Sequence, residues 1–96
     1  MLCGGYKPWK EIESDTEEAH KVAIAFKEEI QTKFNANFSD FKPHSYQTQV
    51  VAGTNYKVKI LVDGGEVIQL KVYRALPHMA KPDEITHLER QKTLED

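Results

Sequence analysis

Four histidines and a single cysteine are the residues of this 96-residue chain best suited to metal or nucleophilic chemistry. A metal site needs such residues paired at short spacing, as in HxxxH or CxxC, so that two ligands share one turn or helix face. No such pair occurs. His20 falls on the charged face of a predicted helix, His44 follows a proline at the start of a predicted strand, His78 sits in a loop, and His87 lies near the C-terminal end. Cys3 stands in the opening MLCGGYKPWK, whose glycines and proline offer neither the fixed base nor the ordered site that a catalytic thiol requires. Its expected state is an exposed thiol open to oxidation or mixed disulfides. The turn Asp63-Gly64-Gly65-Glu66 lacks the Lys-Ser/Thr pair and the following helix of a phosphate loop. The chain is therefore expected to have no catalytic residues, no metal and no cofactor, and not to be an enzyme.

Composition narrows the remaining classes. An apolar content of 40% and a charged content of 29% suit one ordinary globular domain over residues 1–96, large enough for a single core without a disulfide or metal. The formal net charge is −2 with the signs interspersed, which gives no footprint for nucleic acid. No stretch approaches the roughly 20 apolar residues of a membrane span. One cysteine cannot form an internal bridge, and the opening residues show neither a long apolar run nor a cleavage pattern. Both features predict a cytoplasmic location.

The elements that would position any site follow from the hydrophobic period. Residues 1–9 carry Gly4, Gly5 and Pro8 and are expected to form a flexible N-terminal trunk. Ser14 and Glu17 make a capping-box pattern, with Asp15 as an alternative cap. Ala19, Val22, Ala23, Phe26, Ile30 and Phe34 then recur at helical spacing. The prediction is one amphipathic helix over about residues 15–34, ended by Asn35 and Asn37, with Glu17 and Lys21 paired on its wet side. Beyond Asp40 the period becomes 2. Tyr56, Val58, Ile60 and Val62 share a strand face, Asp63-Gly64-Gly65 turns the chain, and Ile68, Leu70 and Val72 share the next. The run from His44 to Val51 adds a third strand. Ile85 and Leu88 in the last stretch stand at helical spacing, yet that stretch could equally serve as an edge strand. The fold class is α+β, with the helix covering the apolar face of an antiparallel sheet.

One stretch breaks the pattern. QVVAG, residues 49–53, lies at a predicted hairpin, where polar turn residues normally dominate, yet it sets Val50, Val51 and Ala52 at the bend. Leu76 and Pro77 repeat the anomaly in a later loop. The two bends lie two strand lengths apart and so fall at the same end of the sheet. A trunk running to that end would add Leu2, Gly4 and Gly5. Such an apolar edge marks an interaction site, unless Val50 and Leu76 turn inward to the core.

The run QVVAG, its extension Thr54-Asn55-Tyr56, the Gly4-Gly5 pair and Leu76-Pro77-His78 together resemble the stefins, the cytosolic single-domain branch of the cystatin inhibitors of papain-like cysteine proteases. The order and spacing agree over most of the chain, and QVVAG is a fairly specific motif. The resemblance implies a cystatin-like fold, with one long helix across a curved antiparallel sheet of four to five strands, and with the last stretch as a strand. It also implies a three-part wedge that enters a protease cleft. The wedge would comprise Leu2, Cys3, Gly4 and Gly5, then Gln49, Val50, Val51, Ala52 and Gly53, then Leu76, Pro77 and His78. Leu2 would fill the pocket for bulky apolar side chains, and Gly4 would let the chain veer from the catalytic cysteine.

The function so implied is reversible, tight and competitive inhibition of papain-like proteases, papain and the cathepsins of the L and B type included, by a mostly monomeric protein. The alternative is a cystatin-fold interaction module without inhibition, or a scaffold whose hairpin straightens to exchange elements in a domain-swapped dimer. A dimer linked through Cys3 would be abolished by reductant.

Overall fold

The computed structural model describes residues 5–91 and Leu94. Five strands form one antiparallel sheet in sequential order: β1 (Lys10–Glu11), β2 (Phe41–Val51), β3 (Gly53–Val62), β4 (Glu66–Arg74) and β5 (Glu84–Gln91). Two helical segments, α1 (Glu18–Ala25) and α2 (Lys27–Phe34), lie between β1 and β2, and a short 3₁₀ turn spans Pro77–Met79.

The period-2 pattern sets the layers. Val58, Ile60 and Val62 of β3 and Ile68, Leu70 and Val72 of β4 are fully buried on one face. Ala19, Val22, Ala23 and Ile30 of the helical segments pack against them, with Phe26 and Phe34 half-buried at the margin. Each of the largest of these side chains stabilises the fold by about 1.5–3 kcal/mol on full burial.

The helix departs from the sequence expectation in two respects. It starts at Glu18 rather than near residue 15, because residues 14–17 close a separate turn first. There the Glu17 carboxylate accepts the Glu13 and Ser14 amides, at 2.7 and 3.1 Å, while the Ser14 hydroxyl turns to the Thr16 amide. Half of the expected capping box therefore forms, and Lys21 lies 4.0 Å from Glu18 instead of pairing with Glu17. The helix is also interrupted at Phe26 (φ −101°, ψ 7°), whose amide bonds the Ala23 carbonyl in a tightened turn. Asn35 ends α2 in the left-handed region at φ 50°, as expected of an Asn at that position.

The last stretch is a strand, and its misleading spacing has a structural cause. Pairing of β4 with β5 shifts between Lys71 and Val72: Leu88 faces Leu70 and Ile85 faces Val72, with Thr86 as the extra residue. The bulge puts two residues three apart on the same face, which without it would alternate.

The face of the sheet turned away from the helix carries Lys57 and Lys59 of β3 and Gln69 and Lys71 of β4, which alternate with the core residues. The N-terminal residues Tyr6 and Trp9 lie over this outer face, and β1, which the sequence did not reveal, pairs Lys10 with Tyr46 and Glu11 with Ser45. Among the described residues no helix is long and apolar enough to cross a membrane, and no three His, Cys, Asp or Glu side chains gather as a metal site would require.

Candidate functional site

The QVVAG hairpin is built with a single residue at its apex. Val50 pairs with Thr54 and Val51 with Gly53, so Ala52 alone stands beyond the ladder. Val50 is 59% exposed, Ala52 is exposed and Val51 half-buried, so the apolar bend faces outward rather than into the core. Gln49 lies opposite Asn55, whose side-chain amide donates to the Gln49 side-chain oxygen Oε1 at 3.0 Å and ties the hairpin stem across its outer face.

Gly53 has a reason internal to the fold to lack a side chain. Its φ of +121° is a conformation that L residues rarely adopt, and a Cβ there would collide with the Arg74 carbonyl oxygen and come within 2.9 Å of the Tyr73 hydroxyl. The Tyr73 hydroxyl in turn donates to the Ala52 carbonyl. The hairpin apex is thus held against the end of β4, the point from which the next loop leaves.

That loop, residues 75–83, carries Leu76, Pro77 and His78 outward. All three are exposed, with Leu76 at 37%, while Ala75 beside them is buried and roots the loop. Pro77 opens the 3₁₀ turn, which the Met79 amide closes on the Leu76 carbonyl at 3.0 Å. The base of the loop is clasped by one guanidinium. Arg74 Nε and Nη2 donate to the two Asp83 carboxylate oxygens at 3.1 and 2.9 Å, and Nη1 donates to Glu18 of α1 at 3.0 Å. Hydrogen bonding to Asp83, opposed by partial burial and reinforced by Glu18, raises the Arg74 pKa above its ordinary range. The guanidinium also sits over the Tyr56 ring, 5.3 Å from its centroid.

The N-terminal segment approaches the same end of the sheet. The Lys7 amide donates to the Thr48 carbonyl at 2.9 Å, and the Gln47 side chain donates to the Lys7 carbonyl at 3.1 Å. Gly5 is exposed, and a Cβ on it would meet nothing within 4 Å. Leu2, Cys3 and Gly4 lie outside the described residues.

Of the residues that the sequence singles out, the hairpin and the Leu76-Pro77-His78 loop are therefore brought together at one end. Tyr73, Arg74 and Asp83, which hold them there, escaped sequence reasoning. The only signal was position: Tyr73 ends the outer-face series of β4, and Arg74 and Asp83 bracket the loop.

Comparison with known proteins agrees with this architecture. The family model for the cystatin domain matches residues 4–93. Over all 96 residues the chain is 34% identical to cystatin-A1 of Sus scrofa, covering 90% of that protein, and 32% identical to cystatin-B of Bos taurus, covering 95%. It is 33% identical, again over its whole length, to leukocyte cysteine proteinase inhibitor 1 of Sus scrofa, covering 90% of it. The chain belongs to the cystatin family, on its stefin branch, and is a cysteine protease inhibitor rather than an enzyme.

Proposed function

We propose that this protein inhibits papain-like cysteine proteases, with cathepsins of the L and B type as the cellular targets, by occupying the substrate cleft reversibly and competitively. The observation that carries the reading is the paired exposure of Val50 and Leu76 at one end of the sheet, on bends held by Tyr73, Gly53 and Arg74. Apolar side chains on preorganised bends suit an apolar groove, since little ordering entropy is lost when they bind.

The wedge in this reading comprises Leu2, Cys3, Gly4 and Gly5, the hairpin Gln49–Gly53, and Leu76, Pro77 and His78. Leu2 enters the pocket for bulky apolar side chains. Gly4 turns the chain from the catalytic cysteine, so that no peptide bond is presented for attack. The inhibitor acts as a monomer in the cytoplasm. The similarity to cystatin-A1 and cystatin-B supports the assignment of the partner class.

The test is a steady-state inhibition curve against active-site-titrated papain and an L-type cathepsin in reductant, using the whole chain and a chain starting at Tyr6. One-to-one loss of activity at nanomolar inhibitor is expected, with the shorter chain weaker. A folded monomer that leaves both enzymes active at micromolar concentration would overturn the reading.

A further inference from the structure

Two aromatic residues in the N-terminal segment have contacts that neither the wedge nor the core requires. The Tyr6 ring lies over the outer face with the Lys57 ammonium 4.1 Å and the Lys71 ammonium 5.6 Å from its centroid. Lys57 and Lys71 stand directly opposite each other on β3 and β4, a like-charge pair that opposes strand pairing. One aromatic face attracts both. Three residues on, the Trp9 ring lies 4.5 Å from the Lys59 ammonium. Lys59 is only 8% exposed, and its ammonium also donates to the Leu94 carbonyl, so Trp9 and that carbonyl supply the interactions that a buried charge needs. Between the two rings, Lys7 is bonded at both its amide and its carbonyl to β2.

We propose that Tyr6 and Trp9 are positioning residues: they anchor residues 6–9 to the lysines of the outer face and so fix where the chain leaves that face at Gly5. The wedge then starts from a set point, since Gly5 is next in the chain to Tyr6 and four residues from Trp9. The inference rests on the proposed role of the N-terminus in binding, but the anchor itself is measurable without a protease. The Tyr6 hydroxyl is buried without a hydrogen-bond partner among the described residues, so the ring alone does the work.

The first measurement is amide hydrogen exchange in the free protein. The Lys7 amide should be protected, and the Tyr6→Ala/Trp9→Ala variant should raise its exchange by about tenfold while Val58 and Leu70 remain as they were. Tyr6→Phe should behave as the parent. An unprotected Lys7 amide in the parent, or one unaffected by the double substitution, would overturn the anchor. The second is inhibition of papain by whole chains and by chains starting at Tyr6, each with and without the double substitution. The substitution should raise the inhibition constant about tenfold in the whole chain, through faster dissociation, and leave the shorter chain unchanged. Equal losses in both backgrounds would show a merely structural role and overturn positioning. If removing residues 1–5 leaves papain inhibition unchanged, the binding role of the N-terminus fails, and the positioning role with it, whatever the Lys7 amide shows of the anchor.

Discussion

The hydroxyl of Tyr73 donates to the carbonyl of Ala52 and thereby ties the apex of the QVVAG hairpin to the strand that launches the Leu76-Pro77-His78 loop. Both apolar bends take their position from the last two residues of β4. Removing the hydroxyl with Tyr73→Phe keeps the ring and the strand but frees the apex. A hydrogen bond of this kind contributes about 0.5–1.5 kcal/mol, so the inhibition constant for papain should rise about three- to tenfold. Progress curves should place the change in the dissociation rate, and the melting temperature should fall by roughly 2–12 °C; a lower melting temperature with an unchanged inhibition constant would mean that this bond does not position the apex for binding.

Gly53→Ala asks more of the same corner. The new Cβ meets the Arg74 carbonyl oxygen, and the backbone is held at φ +121°. Strain of about 1–3 kcal/mol is expected, lowering the melting temperature by roughly 5–20 °C. Calorimetry of the variant against Gly5→Ala provides the control, since Gly5 has open space around it and should tolerate the methyl in the free protein.

Much of this arrangement is legible in the sequence because each strand face repeats every second residue and the hairpin motif stands out against turn chemistry. What was not legible has particular causes. Ile85 and Leu88 stand at helical spacing because a bulge at Thr86 supplies the odd residue between them, so the period alone left helix and edge strand open. The late helix start follows from Glu17 using its carboxylate on the Glu13 and Ser14 amides, a choice among equivalent local bonds that sequence does not decide. The interruption at Phe26 leaves no trace in the apolar period, which continues through it to Ile30. Tyr6 and Trp9 read as part of a loose segment because their partners, Lys57, Lys59 and Lys71, are about 50 or more residues away in the chain.

The clasp of Arg74 on Asp83 predicts a coupling between two loop ends. Its groups are partly exposed, so solvent weakens the pair to about 0.5–1 kcal/mol in a double-mutant cycle of Arg74→Met and Asp83→Asn. The folded state raises the Arg74 pKa, so the guanidinium's contribution is complete below its unfolded pKa and would be lost only as pH climbs through the still higher folded value. Across pH 6–10, in protein free of protease, Arg74→Met should therefore lower stability by a constant amount as far as this group is concerned. Urea unfolding at several pH values measures it, and a steep rise or fall in the difference across that window would show that other groups govern the clasp.

Val50 and Leu76 provide the sharpest separation of binding from folding. Both are exposed large apolar side chains outside the buried core, so polar replacement removes little packing. Val50→Ser and Leu76→Ser should each change unfolding free energy by no more than about 0.5 kcal/mol. At the centre of an apolar interface the same truncations cost about 1–3 kcal/mol, and the inhibition constant should rise about five- to a hundredfold for each. If the two bends enter one groove together, the double variant should lose less than the sum of the single losses, because release of one bend already loosens the other. Strict additivity would mean that the bends bind independently, and unchanged inhibition by the double variant would move the contact surface away from this edge altogether.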